Sequence, residues 1–309
     1  MFITRIKRNI MTLCDVSMRD GIQSLRSPSE KPFLCLPKKY FFVDKLAQYG
    51  FDNIEIGSNV SKSVVEMTTT KDLIKMIHDK PINCNKMVLV PNYKKFKELL
   101  EMDIDAVNTI SLITSCSESF TLKNTKMTIE QSLNEIQKIV ETIKYLDNNP
   151  EFITKLNLRI YISCCFGCPI EKKFSQKYID IVADIFKRFS YHSFVKEIVI
   201  SDTNGTFDNY LFEDYLGYFG YSNKLSFHIH KNNPTLSWAC KIIERSLNRT
   251  SSLDCSMGNV GGCSSLEKMP PNLPTVLMSK AYNIVSGEDK YNIAHLDELD
   301  KIFSSNLEN

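Results

Sequence analysis

Two histidines one residue apart, His228 and His230, stand at the end of the run Lys224-Leu225-Ser226-Phe227-His228-Ile229-His230. On a strand, side chains two apart point to the same face, so both imidazoles can meet one divalent cation. A lone His-x-His is just as readily a stacked or solvated pair. A second stretch shifts that balance: Cys14-Asp15-Val16-Ser17-Met18-Arg19-Asp20-Gly21-Ile22-Gln23. Its apolar start, from Met11 to Val16, reads as a short buried strand, and it ends in a turn carrying a cation, a carboxylate, a glycine and an amide. A carboxylate close behind a buried strand is held rigidly, the arginine beside it can meet an anion, and Gly21 lets the backbone turn sharply or approach a ligand closely. Asp20, His228 and His230, with the Asn272 amide oxygen as a fourth donor, make an N/O set suited to Mg2+ or Mn2+. No cysteine is needed in it, as a structural tetrahedral zinc site would require.

Cys263 is a second candidate. It follows Gly261-Gly262 in a loop rather than in an apolar stretch, where a thiol can be brought to a substrate and act as acid or base. The other nine cysteines read as packing. Cys164, Cys165 and Cys168 show Cys-x-x-Cys spacing, but no second pair stands at metal spacing.

These residues need elements to hold them, and the chain alternates strand and helix throughout. Strands are predicted at 11–16, 52–57, 86–91, 105–111, 157–163, 196–200, 224–230 and 251–255. Helices are predicted at 37–49, 63–77, 93–102, 128–146, 175–189, 208–218, 235–247 and 275–284, with a tail helix after His295. Gly50 stands where a helix C-terminus is capped, and Thr128 with Gln131 reads as a capping box. The stretch 112–127 reads as a loop. Eight alternations are the arithmetic of a (β/α)8 TIM barrel, as one domain over 1–309 with the barrel at about 11–285 and a C-terminal extension at 286–309. A doubly wound open sheet would use fewer strands and a glycine-rich phosphate loop after the first, which is missing. Active sites of barrels lie at the C-terminal strand ends. Arg19, Asp20, Gln23, Glu55, Glu118, Asn124, Asp202, His228, His230, Cys263 and Asn272 all fall there.

With 309 residues, 43% of them hydrophobic, the chain can bury a large core. A net charge of +2 gives no general basic field for nucleic acid. No apolar run approaches a membrane span. Scattered cysteines without a secretory signal point to a reducing, cytoplasmic compartment. Arg5, Lys7 and Arg8 could start a transit peptide, but the first strand follows almost at once.

The chain resembles the 3-hydroxy-3-methylglutaryl-CoA lyase family, within a wider superfamily of metal-dependent barrel lyases, aldolases and Claisen-condensing synthases. The resemblance is carried by Arg19-Asp20-Gly21-Ile22-Gln23, Ile54-Glu55 with Ser58-Asn59-Val60-Ser61, Val90-Pro91-Asn92, and Ser117-Glu118-Ser119-Phe120-Thr121 with Lys123-Asn124. It continues through Ser163-Cys164-Cys165-Phe166-Gly167-Cys168-Pro169, Asp202-Thr203-Asn204-Gly205, His228-Ile229-His230, Gly261-Gly262-Cys263 and Asn272. What it implies is retro-Claisen cleavage of 3-hydroxy-3-methylglutaryl-CoA, or a similar 3-hydroxyacyl-CoA, to acetyl-CoA and acetoacetate. It implies a cation on Asp20, His228, His230 and Asn272, and Arg19 at the thioester enolate oxygen. It implies proton exchange by Cys263, with His228 sharing the acid–base work, and Glu55 orienting Arg19 or the metal shell. Gln23, Asn124 and Asp202 would meet the substrate or support the site. Barrels of this kind often form homodimers. Lys231 and Asn232 replace the family's Asp-Thr, and Ser264 to Pro271 replaces its Pro-Tyr-Ala loop. Asn272-Leu273-Pro274-Thr275 is similar to the aldolase branch. An aldolase or synthase acting on a 2-oxo or hydroxy acid, or a catalytically silent barrel, are the alternatives.

Overall fold

The computed structural model describes residues 11–25, 31–102, 104–149, 155–172, 174–262 and 269–308. Eight parallel strands close on themselves in sequence order: β1 Thr12–Asp15, β2 Asn53–Ser58, β3 Asn85–Leu89, β4 Thr109–Ser115, β5 Asn157–Ser163, β6 Val195–Ser201, β7 Leu225–His228 and β8 Ser252–Cys255. Closure is made by β1 against β8, in register from Thr12↔Ser252 to Asp15↔Cys255. This is the expected TIM barrel. The open-sheet alternative would have left edge strands, and closure removes them.

Outside lie the helices α1 Leu36–Gln48, α2 Thr70–Asp79, α3 Tyr93–Leu100, α4 Glu118–Thr125, α5 Ile129–Asp147, α6 Lys177–Phe189, α7 Asn209–Phe219, α8 Leu236–Ser246, α9 Thr275–Ser286 and α10 Ile293–Leu307. Their apolar stripes explain their placement. In α6, Tyr178, Ile179, Val182, Ile185, Phe186 and Phe189 are all buried, which is helical spacing on one face. The Thr128–Gln131 capping box opens α5 as predicted. No helix among the described residues is long and apolar enough to cross a membrane.

Three predicted elements differ. The helix expected at 63–77 begins only at Thr70, after a single 3-10 turn, Val65–Met67. The buried ammonium of Lys39 donates to the Glu66 carbonyl, which a continuous helix would give to Thr70 N, and also to Thr69 Oγ1. The supposed loop at 112–127 is largely ordered: β4 runs on to Ser115, and α4 is capped by Ser117 Oγ accepting from Phe120 N and ended by left-handed Lys126. Only Phe120 and Thr121 of α4 are buried, so its apolar signal in sequence is faint. The seventh strand stops at His228, and His230 instead pairs in an isolated antiparallel bridge with Asn272.

Candidate metal centre

The turn after β1 is wound as a π-helix over Ser17–Gly21, with Gly21 N donating to Val16 O at 3.1 Å. Such wide turns recur at functional sites because they re-aim a side chain. Asp15 accepts from Ser17 N and Thr275 Oγ1, and Ser17 Oγ accepts from Met257 N, tying the turn to β8 and α9. A side chain on Gly21 would meet Ser256 Oγ at 2.5 Å. Asp20 therefore reaches the barrel axis on a rigid support.

There Asp20 Oδ2 lies 3.6 Å from His228 Nε2 and 3.9 Å from His230 Nε2, and the two Nε2 atoms are 3.0 Å apart. The other ring nitrogens are engaged: His228 Nδ1 is 3.0 Å from Asp254 Oδ2, and His230 Nδ1 is 3.0 Å from Pro270 O. If each Nδ1 carries the proton, both Nε2 lone pairs and a carboxylate oxygen converge on one point. Three acceptors so placed suit a cation, and these residues form the one His/Cys/Asp/Glu group of that kind among the described residues. Burial pushes the Asp20 carboxyl up, but Arg19 and the histidines more than offset it and hold it well below the usual carboxylate range. Burial, then His228, lowers His230 to about 4, so its imidazole is neutral and free to ligate. Asn272 presents Nδ2 to Asp20 Oδ2 at 3.1 Å, while its Oδ1 is buried without a partner. A half-turn of the amide puts that oxygen where Nδ2 now sits. Gly262 N also approaches Asp20 Oδ2, at 3.4 Å.

Arg19 is 4% exposed and held at two of its nitrogens: Nε to Glu55 Oε2 and NH1 to Asp20 Oδ1, both at 2.5 Å. Its NH2 is buried without a partner. Glu55, inside β2, thus holds Arg19 by its Nε. Gln23 donates to Asp20 Oδ1 at 3.2 Å. Arg19, Asp20, Gln23, Asn124, His228 and His230 line one cavity of about 700 Å³. Val60, Leu89, Ile113 and Tyr161 make its apolar wall, and Lys62 and Lys95 also line it.

Two expected site residues are placed elsewhere. Asp202 does not line the cavity; its carboxylate accepts from Thr206 N and Phe207 N and closes the turn before α7. Burial raises its carboxyl to about 6 against those bonds. Glu118 accepts from Ile129 N at the start of α5. Cys263, with Ser264–Lys268, lies outside the described residues, as do Arg5, Lys7 and Arg8. The nine described cysteines are free, and Cys164, Cys165 and Cys168 are buried, in keeping with a packing role. Lys231 places its ammonium 5.2 Å over the Trp238 ring.

Residues 10–269 match the HMGL-like family model. The chain belongs to the HMGL-like family. It is 29% identical over 268 residues to mouse mitochondrial hydroxymethylglutaryl-CoA lyase, covering 85% of this chain and 75% of that protein. It is 31% identical over 205 residues to the rat enzyme of the same name, covering 66% of this chain and 57% of that protein. Among solved structures, it is similar to a Bacillus subtilis HMG-CoA lyase, with TM-score 0.80, 21% identity and coverage of 97% and 95% of the two chains. It is also similar to an Acinetobacter baumannii HMG-CoA lyase in complex with coenzyme A and 3-methylmalate, with TM-score 0.78, 22% identity and coverage of 98% and 93%.

Beneath the cluster, this HMGL-like barrel holds residues that reading the sequence passed over. Arg159, Tyr161, Glu197 and Asp254 are buried inside it. Tyr161 lies between two guanidiniums, with the Arg19 and Arg159 carbons 4.8 and 4.9 Å from its ring centre. Its hydroxyl is 3.2 Å from Glu55 Oε2 and 2.9 Å from Asp254 Oδ2, and accepts from Arg159 NH1 at 2.8 Å. Burial pushes Asp254 up, but Arg159 and His228 outweigh it and draw it down to about 2. The signal available was a charge inside an apolar strand, the same feature that singled out Glu55.

Proposed function

We propose that this chain is a divalent-metal-dependent carbon–carbon lyase that cleaves 3-hydroxy-3-methylglutaryl-CoA, or a similar 3-hydroxyacyl-CoA, to acetyl-CoA and acetoacetate. The observation that carries this reading is the pairing of a three-acceptor cation cluster with an arginine whose NH2 is buried and unpartnered beside it. The curated relatives named as lyases of this substrate, and a related structure holding coenzyme A, favour it over a 2-oxo acid aldolase.

Asp20, His228, His230 and Asn272 would hold Mg2+ or Mn2+. A cation held there would supply the Lewis acidity that makes the substrate's 3-hydroxyl more acidic. With its Nε2 given to the cation, His228 would leave the acid–base work to Cys263. Arg19, oriented by Glu55, would point NH2 at the thioester oxygen, where negative charge gathers as the C2–C3 bond breaks. Cys263, as the thiolate, would take the 3-hydroxyl proton as the C2–C3 bond breaks and return it to the enolate carbon, giving acetyl-CoA and acetoacetate. Gln23 and Asn124 would contact the substrate from the cavity wall, and Asp202 would support the loop. The free thiols fit a reducing compartment such as the cytoplasm.

The test is an assay of purified protein with Mg2+ or Mn2+ and 3-hydroxy-3-methylglutaryl-CoA under reducing conditions, following acetoacetate and acetyl-CoA. We expect metal-dependent product that falls roughly 10²–10⁴-fold in Cys263→Ala, the range for a lost general acid. No product, with metal still bound, would overturn the substrate and shift the assignment to an aldolase, a synthase or a silent barrel.

A further inference from the structure

The two imidazoles of the cluster are supported differently. His230 Nδ1 faces a neutral backbone carbonyl, Pro270 O, whereas His228 Nδ1 faces a carboxylate, Asp254 Oδ2, each at 3.0 Å. Asp254 is 1% exposed, and its other oxygen accepts from Arg159 NH2 at 2.5 Å. Arg159, wholly buried, is pinned in turn: Nε is 3.0 Å from Glu197 Oε2, and NH2 donates to Ser252 Oγ at 3.2 Å. These groups come from β5, β6 and β8, so the carboxylate behind His228 is fixed by three strands.

We propose that Asp254, clamped by Arg159, is a positioning residue that holds His228 as the Nδ1–H tautomer, so that its Nε2 lone pair faces the cation position. This rests on the metal-dependent reading above. A neutral imidazole has one ring proton and two places for it. Left alone, that proton would have a good place at Nε2, where His230 Nε2 waits as an acceptor 3.0 Å away. An Nε2–H···Nε2 bond would close the cluster against a cation. A carboxylate acceptor at Nδ1 wins, because a charge-assisted hydrogen bond is roughly twice as strong as a neutral one. Asp20 Oδ2, at 3.6 Å from His228 Nε2, is too far to compete as an acceptor. Arg159 supplies the countercharge and sets the carboxylate's orientation. His230 has no such partner, so Asp254 makes the two ligands unequal: His228 is the more strongly donating. Metal-ligating histidines backed by a carboxylate follow the same logic in general.

The experiment is a Mn2+ titration by electron paramagnetic resonance on the full chain at fixed pH, for the wild type, Asp254→Asn and Ser226→Ala. The amide in Asp254→Asn would keep the shape of the side chain and lose its charge. Ser226 bonds Glu197 and touches neither His228 nor Asp254 through a hydrogen bond, so it reports on general loosening of the buried cluster. We expect Asp254→Asn to weaken Mn2+ binding roughly 10–100-fold and Ser226→Ala to stay within about threefold of wild type. In the metal-free wild type, nitrogen NMR of labelled histidine should place the His228 proton on Nδ1. Equal Mn2+ affinity in Asp254→Asn, an equal loss in Ser226→Ala, or a wild-type His228 proton on Nε2 would each overturn the proposal. Should Asp254→Asn fail to fold, the wild-type tautomer decides. A wild type that binds no Mn2+ would sink the metal-dependent reading instead, and the tautomer would still settle the role of Asp254.

Discussion

His230 owes its chemistry to burial. In water an imidazole titrates near 6.5; here desolvation, with His228 beside it, brings it to about 4. Above pH 6.5 neither the folded nor the unfolded chain protonates it, so its contribution to stability is intact. Between 6.5 and 4 the unfolded chain takes up a proton that the folded one refuses, and stability falls as pH falls, by about 3 kcal/mol in full and about 2 kcal/mol by pH 5. Urea unfolding with a chelator present, at pH 7.5 and 5, should therefore show a larger acid loss in wild type than in His230→Gln. Equal slopes would show that His230 is not the buried neutral base described. Asp15 and Asp202, both raised to about 6 by burial, act in the opposite sense, which is why the variant must be compared with the wild type rather than read alone. Residues such as Arg19, Asp20, Glu55 and His230 stood out in the sequence because charged or ligating groups at strand ends are rare in packing. Asp202 stood out for the same reason, yet its carboxylate serves two backbone amides of its own turn.

The π-helical turn shows how an element sets the site. The spacing Arg19-Asp20-Gly21 suggested a turn but not its width, which is decided by the bonds of Asp15 and Ser17 to distant Thr275 and Met257. Gly21 is required by close approach to Ser256 rather than by backbone angle. Gly21→Ala should therefore cost about 1–3 kcal/mol by overpacking and weaken Mn2+ binding as Asp20 shifts. Gly217, inside α7 with nothing within 4 Å of the would-be side chain, is its counterpart. Gly217→Ala should stabilise by up to about 1 kcal/mol through helix propensity. Thermal melts of both variants check the pair, and a destabilised Gly217→Ala or a silent Gly21→Ala would contradict the packing described. The late start of α2 has a similar cause, since the buried Lys39 of α1 competes for the carbonyl at Glu66.

For the molecule, the helix beyond the eighth alternation is part of the core rather than an appendage. Phe303 of α10 is fully buried and meets Phe42 of α1 edge-on at 5.1 Å. Asp300 accepts from Gly258 N at 2.9 Å, so α10 also braces the segment leaving β8. Phe303→Ala should cost roughly 3–5 kcal/mol, as large-to-small core changes do. Calorimetry would read it as a lower melting temperature, and an unchanged one would mean that α10 packs loosely. The eight strand–helix alternations were readable in the chain by itself because period-2 and period-3.6 patterns are local, and so were the barrel, the capped α5 and the candidate ligands at strand ends. Three things were decided only in the tertiary structure. The strand ended at His228 because His230 found a partner in Asn272, 42 residues on. The stretch at 118–125 became a helix on the strength of its cap and two buried side chains. Arg159, Glu197 and Asp254 assembled behind His228 because barrel closure brings β5, β6 and β8 within reach across the axis. For the first and third the physical reason is the same: a hydrogen bond between residues far apart in sequence leaves no periodicity in the chain that makes it. For the second, a cap and two buried side chains are too short a stretch to show a period.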